Sequence, residues 1–263
     1  MDLNLKSKIA LVTASSKGIG KAAANSLAKE GATVIICSRK KNEIEQTAIE
    51  IQHSTNSEII PFVADVSKLE DIQHLFEQIK KQFGTIHILV NNAGGPPTGD
   101  LLTMTELEWS RGYELTLMSM IRLSREALPF MIKQKWGRII TITSHAGKEP
   151  FNNFIASSTF RSGIHNLTKN ISSKYAKDNI TINTVCPGHI LTESQKIIME
   201  KRCIEKNISM EEFMTQISKD IPAGRLGNLE EVGNVIAFLA SENASYINGI
   251  NLLIDGGLTK GVH

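Results

Sequence analysis

Seven short apolar runs, spread along the whole chain and separated by longer amphipathic stretches, constrain the fold of this protein more than any other feature. They are KIALVT (8–13), TVIICS (33–38), EIIPFV (58–63), IHILVN (86–91), RIITITS (138–144), ITINTVC (180–186) and INLLID (250–255). Rich in β-branched residues and apolar at successive positions, they present no face suited to water, which is the pattern of parallel strands covered on two sides. The stretches between them follow the helical period. In SKLEDIQHLFEQIKKQFG, Leu69, Ile72, Leu75, Phe76, Ile79 and Phe83 fall on one stripe. Ser67 and Glu70 read as a capping box that opens this helix, and Gly84 reads as its stop. Alternation of this kind, sustained from end to end, predicts one α/β domain built on a doubly wound, parallel, seven-stranded sheet. Its crossovers should be right-handed and its ligands should bind at the carboxyl ends of the strands.

A chain of 263 residues buries a full core without a second domain. Its 41% hydrophobic and 21% charged residues and net charge of +2 are ordinary for a globular protein. Lysines and arginines are interleaved with acids, as in KKNEIEQTAIE, so no basic stripe is offered to a nucleic acid backbone. The opening MDLNLKSKIALVTASS has no long apolar core behind a basic start, and no window is apolar enough to span a bilayer, so a cytosolic protein without a membrane partner is expected. Cys37, Cys186 and Cys203 are too few and too scattered for a disulfide framework or a metal site, and are read as buried small hydrophobes.

The first crossover carries TASSKGIG (13–20), directly after a strand and before the helix KAAANSLAKEG. A glycine-rich turn there lets backbone N–H groups approach a pyrophosphate, while the helix N-terminus supplies favourable partial charge. Further segments follow: ADV (64–66), NNAG (91–94), GRIITITS (137–144), CPGHILTE (186–193) and IPAGRLGNLEEVGNVIAFLASENASYINGINLLIDGG (221–257). Together, over essentially the whole chain, they resemble the ordered motifs of the short-chain dehydrogenase/reductase family, in particular its 3-oxoacyl-(acyl-carrier-protein) reductases. The resemblance implies a single Rossmann-type domain. It places Ser16, Lys17, Gly18, Ile19 and Gly20 at the cofactor phosphates and Asp65 and Val66 at the adenine. Asn91, Ala93 and Gly94 would lie along the cofactor, and Pro187, Gly188, Ile190 and Thr192 near the carboxamide. Ala14 stands where the family has its first glycine; should the turn need positive φ there, the methyl costs roughly 1–2 kcal/mol.

At the end of the second strand, where an NAD site places a carboxylate on the ribose 2′-OH, the chain has Ser38, Arg39, Lys40 and Lys41. A guanidinium forks onto a 2′-phosphate and Lys17 could reach the same group, so NADP(H) is the expected cofactor and NAD(H) the alternative.

The family moves its proton through a Tyr-x-x-x-Lys pair after the fifth strand, with a serine at the strand's end and an asparagine on the preceding helix. Counting from ITITS, Ser144 takes the serine position, Ser157 and Arg161 take the pair, and Thr116 takes the asparagine. A phenol titrates near about pH 10 and a neighbouring ammonium brings it within reach of neutrality; an aliphatic hydroxyl is not brought that far. Arg161 stays protonated, so it is expected to orient: either the nicotinamide ribose, as the family's lysine does, or an anionic group of the substrate. For the proton itself, His145, His189, Ser157 and a bound water remain open.

Residues 192–222 resemble the family's substrate cover. Ser209 and Glu212 form a capping box there, ahead of an apolar stripe of Met210, Phe213, Met214 and Ile217. The helical stretches 103–135 and 154–177 resemble the family's assembly pair, which implies a homodimer or homotetramer. The leading expectation is an NADP(H)-dependent oxidoreductase of a carbonyl or secondary alcohol with an atypical proton-transfer site. A non-catalytic NADP(H)-binding regulator or assembly partner is the alternative, and lyase or isomerase chemistry on the same scaffold is a third class.

Overall fold

In a computed structural model, which describes residues 2–261 apart from the side chains of 194 and 198, adjacent residues of each central strand enter different cores. Ala10 and Val12 of β1 (Ile9–Val12) join one apolar cluster and Leu11 the other. Val34 and Ile36 of β2 (Thr33–Ser38) join the first, Ile35 and Cys37 the second. β4 (Ile88–Asn91) and β5 (Gly137–Ile142) divide in the same way. This is why the runs are apolar at successive positions: the pleat sends neighbours to opposite faces, and both faces are covered.

Among the described residues the remaining strands are β3 (Ile59–Val63), β6 (Ile180–Pro187) and β7 (Asn251–Ile254), and the seven form one parallel sheet in the order β3-β2-β1-β4-β5-β6-β7. On one face pack α1 (Gly18–Lys29), α2 (Lys41–Thr55) and α9 (Leu229–Leu239). On the other lie α3 (Leu69–Phe83), α5 (Ser119–Gln134) and α6 (Ile155–Tyr175). After β3 the chain returns to the far side of β1, so β1 has β2 on one side and β4 on the other. Such a reversal opens a crevice at the carboxyl ends of the strands.

The expected single helix over 103–135 is in fact α4 (Glu106–Tyr113), a π-helical segment Glu114–Met118, and α5. Ser119 explains the break. Its buried hydroxyl donates to the Leu115 carbonyl at 2.5 Å, the acceptor its own amide would take in an α-helix, and the amide reaches Glu114 O instead.

The capping box expected at Ser67 and Glu70 does not form: α3 starts one residue later, with Lys68 at the N-cap and no side-chain cap. Ser67 is held instead by Asp65, whose Oδ1 accepts from both its backbone N (3.0 Å) and its hydroxyl (2.7 Å). Gly84 ends the helix as expected, with φ 71°. Residues 192–222 fold into α7 (Glu193–Lys206) and α8 (Met210–Asp220), and the Ser209–Glu212 capping box is present. Phe213, Met214 and Ile217 join a small separate core with Met199, Cys203, Ile221 and Leu226, while Met210 stays exposed. All three cysteines are free and buried. Among the described residues no helix is long and apolar enough to cross a membrane.

Candidate functional site

The crevice is a cleft of about 530 Å3 whose wall is drawn from the carboxyl ends of β1 through β6. At one end the turn after β1 is pinned from three sides. Thr13 Oγ1 donates to Asn92 O at 2.7 Å and accepts from Asn92 N at 2.9 Å; Ser15 N donates to Cys37 O at 3.0 Å; Thr47 Oγ1 donates to Ser16 O at 2.8 Å. Ala14 is held at φ 46° and Gly18 at φ 60°, so the turn does require the left-handed region at the position where alanine replaces glycine. A Cβ on Gly20 would lie 2.7 Å from Ala14 O and 2.6 Å from Asn92 Nδ2, which is why helix and turn approach so closely only with glycine there.

Lys17, the N-cap of α1, provides no side-chain cap, and the uncapped start of that helix lines the cleft, a placement that suits an anion. Arg39 and Lys40, both exposed, line the same end with Lys17. Lys40 Nζ is 2.6 Å from Glu43 Oε1, and that contact chiefly holds the Glu43 carboxyl below its ordinary range. Lys17 and Arg39 make no ion pair among those found for the described residues. An open helix start, a turn with no room for a Cβ and a basic rim together suit a phosphorylated dinucleotide.

Most of the residues expected at the cofactor do line this cleft: Ser16, Lys17, Gly18, Ile19, Arg39, Asp65, Val66, Ala93, Gly94, Arg161, Pro187, Gly188, Ile190 and Thr192. Gly20 lies behind the turn and makes room for it. Asn91 is displaced from expectation. As the last residue of β4 its side chain points to the α5 side of the sheet, where Nδ2 donates to Ser124 Oγ (3.3 Å) and Thr141 Oγ1 (3.2 Å). Asn92 takes the cleft position, its Nδ2 donating to Ala14 O at 3.0 Å. The doubled NN in NNAG held this choice; only the pleat of β4 resolves it. Thr143, Leu115 and Gln195 also line the cleft and carried no sequence signal.

At the opposite end stands Ser144, extended at φ −164°, its Oγ accepting from Ala146 N at 3.2 Å. Arg161 shares that wall. Its Nη1 donates to Ser157 Oγ at 3.0 Å, and Ser157 is buried behind it, 4% exposed and off the cleft wall. Burial draws the Arg161 guanidinium down to about 10, still a cation at neutral pH. Thr116, in the π-helical segment, is buried, and its Oγ1 has no hydrogen-bond partner. With Asn91, Asn92, Gly94 and Arg161 it lines a second cavity of about 20 Å3, roughly the size one water needs.

The two histidines pack beside the cleft and do not line it. His145 Nδ1 lies 3.2 Å from Pro187 O; a carbonyl only accepts, so that nitrogen carries the hydrogen. Its ring stacks on Phe151 at 5.2 Å and stands 5.6 Å from His189. Burial lowers both pKa values, and each ring is off the cleft wall. The shift favours the neutral imidazole in both, and His145 Nδ1 also lies 3.4 Å from Ser144 Oγ. Among the described residues no tyrosine lines the cleft: Tyr113 packs on Phe160, Tyr175 lies at the far end of α6, and Tyr246 is fully exposed.

The family model described as enoyl-(acyl carrier protein) reductase matches residues 13–259. The chain is 36% identical over 264 residues to an uncharacterized oxidoreductase, YvrD, of Bacillus subtilis (strain 168), covering 99% of each. It is 34% identical to the 3-oxoacyl-(acyl-carrier-protein) reductase FabG of Aquifex aeolicus (strain VF5), over 98% of this chain and 100% of that one. The solved structure of L-sorbose reductase from Gluconobacter frateurii, complexed with NADPH and L-sorbose, superimposes with a TM-score of 0.96 at 28% identity, covering 100% of both chains. With the crevice, the glycine-rich turn and a match over nearly its whole length, this chain belongs to the short-chain dehydrogenase/reductase family of oxidoreductases.

Proposed function

We propose that the protein is an NADP(H)-dependent reductase of carbonyl compounds, similar to the 3-oxoacyl reductases, whose proton reaches the product by a route other than a phenol. The observation that carries this reading is the continuous wall of one cleft, from the basic rim of Arg39 and Lys17, past the open start of α1, to Ser144 and Arg161. When bound, the cofactor supplies a hydride at the nicotinamide ring. Arg39 and Lys17 hold the 2′-phosphate and so favour NADP(H) over NAD(H). The backbone N–H groups of 18–20 bind the pyrophosphate, and Pro187, Gly188, Ile190 and Thr192 fix the ring's carboxamide edge. Ser144 Oγ donates to the substrate carbonyl oxygen and polarises it. Arg161, steadied by Ser157, orients and does not titrate. A bound water relays a proton from bulk solvent to the developing alkoxide, because burial lowers the pKa of both histidines and neither ring lines the cleft.

The test uses NADPH fluorescence on mixing, followed by loss of reduced-nicotinamide absorbance across a panel of ketones and acyl thioesters. Turnover that falls at least about tenfold in Ser144→Ala supports the reading. Tight NADPH binding with no turnover on any substrate, unchanged by Ser144→Ala, favours the second reading, a cofactor-responsive regulator or assembly partner. That reading draws on one observation, the lack of a tyrosine on the cleft wall. Assembly into a homodimer or homotetramer is also proposed, drawing on the exposed Leu107 and Tyr113 of α4; light scattering of the purified chain tests it.

A further inference from the structure

We infer that Arg161 is a carboxylate clamp, and that the substrate class of this site is the oxo acids, with the carboxylate next to the carbonyl that is reduced. The inference deepens the reductase reading above and rests on it. It begins from a charge without a partner. Arg161 is a partly buried guanidinium, and among the described residues it forms no ion pair; its one hydrogen bond goes from Nη1 to the neutral Ser157 hydroxyl. The acids at this end of the cleft are committed elsewhere. Glu149 accepts from Lys260 N at 2.9 Å, and Asp255 accepts from Gly257 N at 3.0 Å and Thr259 N at 2.9 Å. Removing a cation from water without a counter-charge is costly, and proteins keep such groups where a ligand supplies the missing charge.

The placement fits a ligand that also meets Ser144. The short turn His145–Gly147, which Ser144 caps, is pressed onto α6: a Cβ on Gly147 would lie 3.0 Å from Arg161 Cβ, and Ser162 Oγ donates to Gly147 O at 2.8 Å. Ser144 and Arg161 are thus carried on two elements locked together, and both face the same cleft. One guanidinium N–H is spent on Ser157. The others remain for a planar acceptor, and a carboxylate takes two in parallel. A ribose diol accepts hydrogen bonds but cancels no charge, so it leaves the electrostatic deficit in place. An ammonium at this position would be a point charge without the fork, which is what the choice of arginine adds.

Phenylpyruvate and its methyl ester are a suitable probe pair, nearly alike in shape and differing in charge. Their dissociation constants are measured by calorimetry on wild-type protein, on Arg161→Lys and on Arg161→Gln, each both cofactor-free and saturated with NADP+. Folding of each variant is checked by its thermal melt. The expected result is an acid bound at least about tenfold more tightly than the ester by wild type, with the ratio partly lost in Arg161→Lys and near unity in Arg161→Gln. Reading the ratio keeps the outcome independent of any general loss of affinity. Equal binding of acid and ester by wild type, failure of wild type to bind either, or a ratio that survives both substitutions overturns the clamp. The NADP+ titration in the same experiment reports separately on the reductase reading: a protein that prefers the acid yet binds no NADP+ retains the clamp and loses that reading.

Discussion

The two ends of the cleft are built on different physics. At the end with the glycine-rich turn, backbone amides and a helix terminus face the cleft, and the turn is held by the side chains of Thr13, Thr47 and Asn92 on main-chain groups and by the Ser15 amide on Cys37 O. That end tolerates an alanine in a left-handed conformation because the pins, and not the residue's own preference, set the shape. At the other end the wall is made by individual side chains: Ser144 and Arg161 line the cleft, and Ser157 and Thr116 are buried near Arg161.

Five measurements put that contrast at risk. The largest effect is expected from Gly20→Val. Its Cβ meets the Ala14 carbonyl at 2.7 Å, a backbone atom that cannot swing away, so NADPH affinity should drop by about a hundredfold or more and the melting temperature should fall with it. An unchanged fluorescence titration would show that the phosphate end is less rigid than its hydrogen bonds imply.

Second, the pair Ser157→Tyr with Arg161→Lys should raise kcat on simple neutral ketones by roughly ten- to a hundredfold, because it installs an acid that an ammonium can tune. No gain in steady-state assays would mean that another group already delivers the proton.

Third, the reaction end should be the pH-sensitive one. His165, buried beside Thr143 Oγ1 (3.0 Å) and Cys186 Sγ (3.4 Å), is held down to about 4, mainly by burial. Its folded pKa lies below the unfolded one, so the unfolded chain binds the extra proton. Stability is unaffected above the unfolded value of 6.5 and is lost as pH falls from there toward 4. The expected loss is roughly 2–3 kcal/mol. Urea titrations at the two ends of that range should show it, and His165→Gln should flatten the difference. A slope that persists in the variant points to other groups.

Fourth, Arg39→Ala should weaken NADPH by about tenfold and leave NADH unchanged, as expected for a single charge-assisted contact. Equal losses for both cofactors would remove Arg39 from the 2′-phosphate. The smallest effect is Ala14→Gly, which relieves the left-handed strain at φ 46° and should stabilise the protein by about 1 kcal/mol, visible as a rise of a few degrees in Tm with cofactor affinity little changed.

What could be read in the chain beforehand follows the range of the interactions involved. The strands and their parallel sheet were legible because a two-sided apolar run has few other places to go, and the Ser209–Glu212 cap because both partners lie within one turn. The cap expected at Ser67 failed because Asp65, also local, takes both the amide and the hydroxyl of that serine on one carboxylate oxygen, and the helix begins a residue later. The π-helical segment was hidden, since a single serine hydroxyl redirecting one carbonyl leaves no periodic trace. Asn91 and Asn92 are interchangeable as letters and opposite in space.

Patterning along the chain is enough to specify the sheet, the crevice at its carboxyl ends and the glycine-rich turn after β1, because these depend on local periodicity and on each side chain's own chemistry. Folding in three dimensions alone leaves Arg161 without a counter-ion among the described residues, sets Ser157 behind it, and buries both histidines beside the cleft so that their pKa values fall. Those are properties of burial and of what lies across a gap, and they exist only once distant segments have packed against one another.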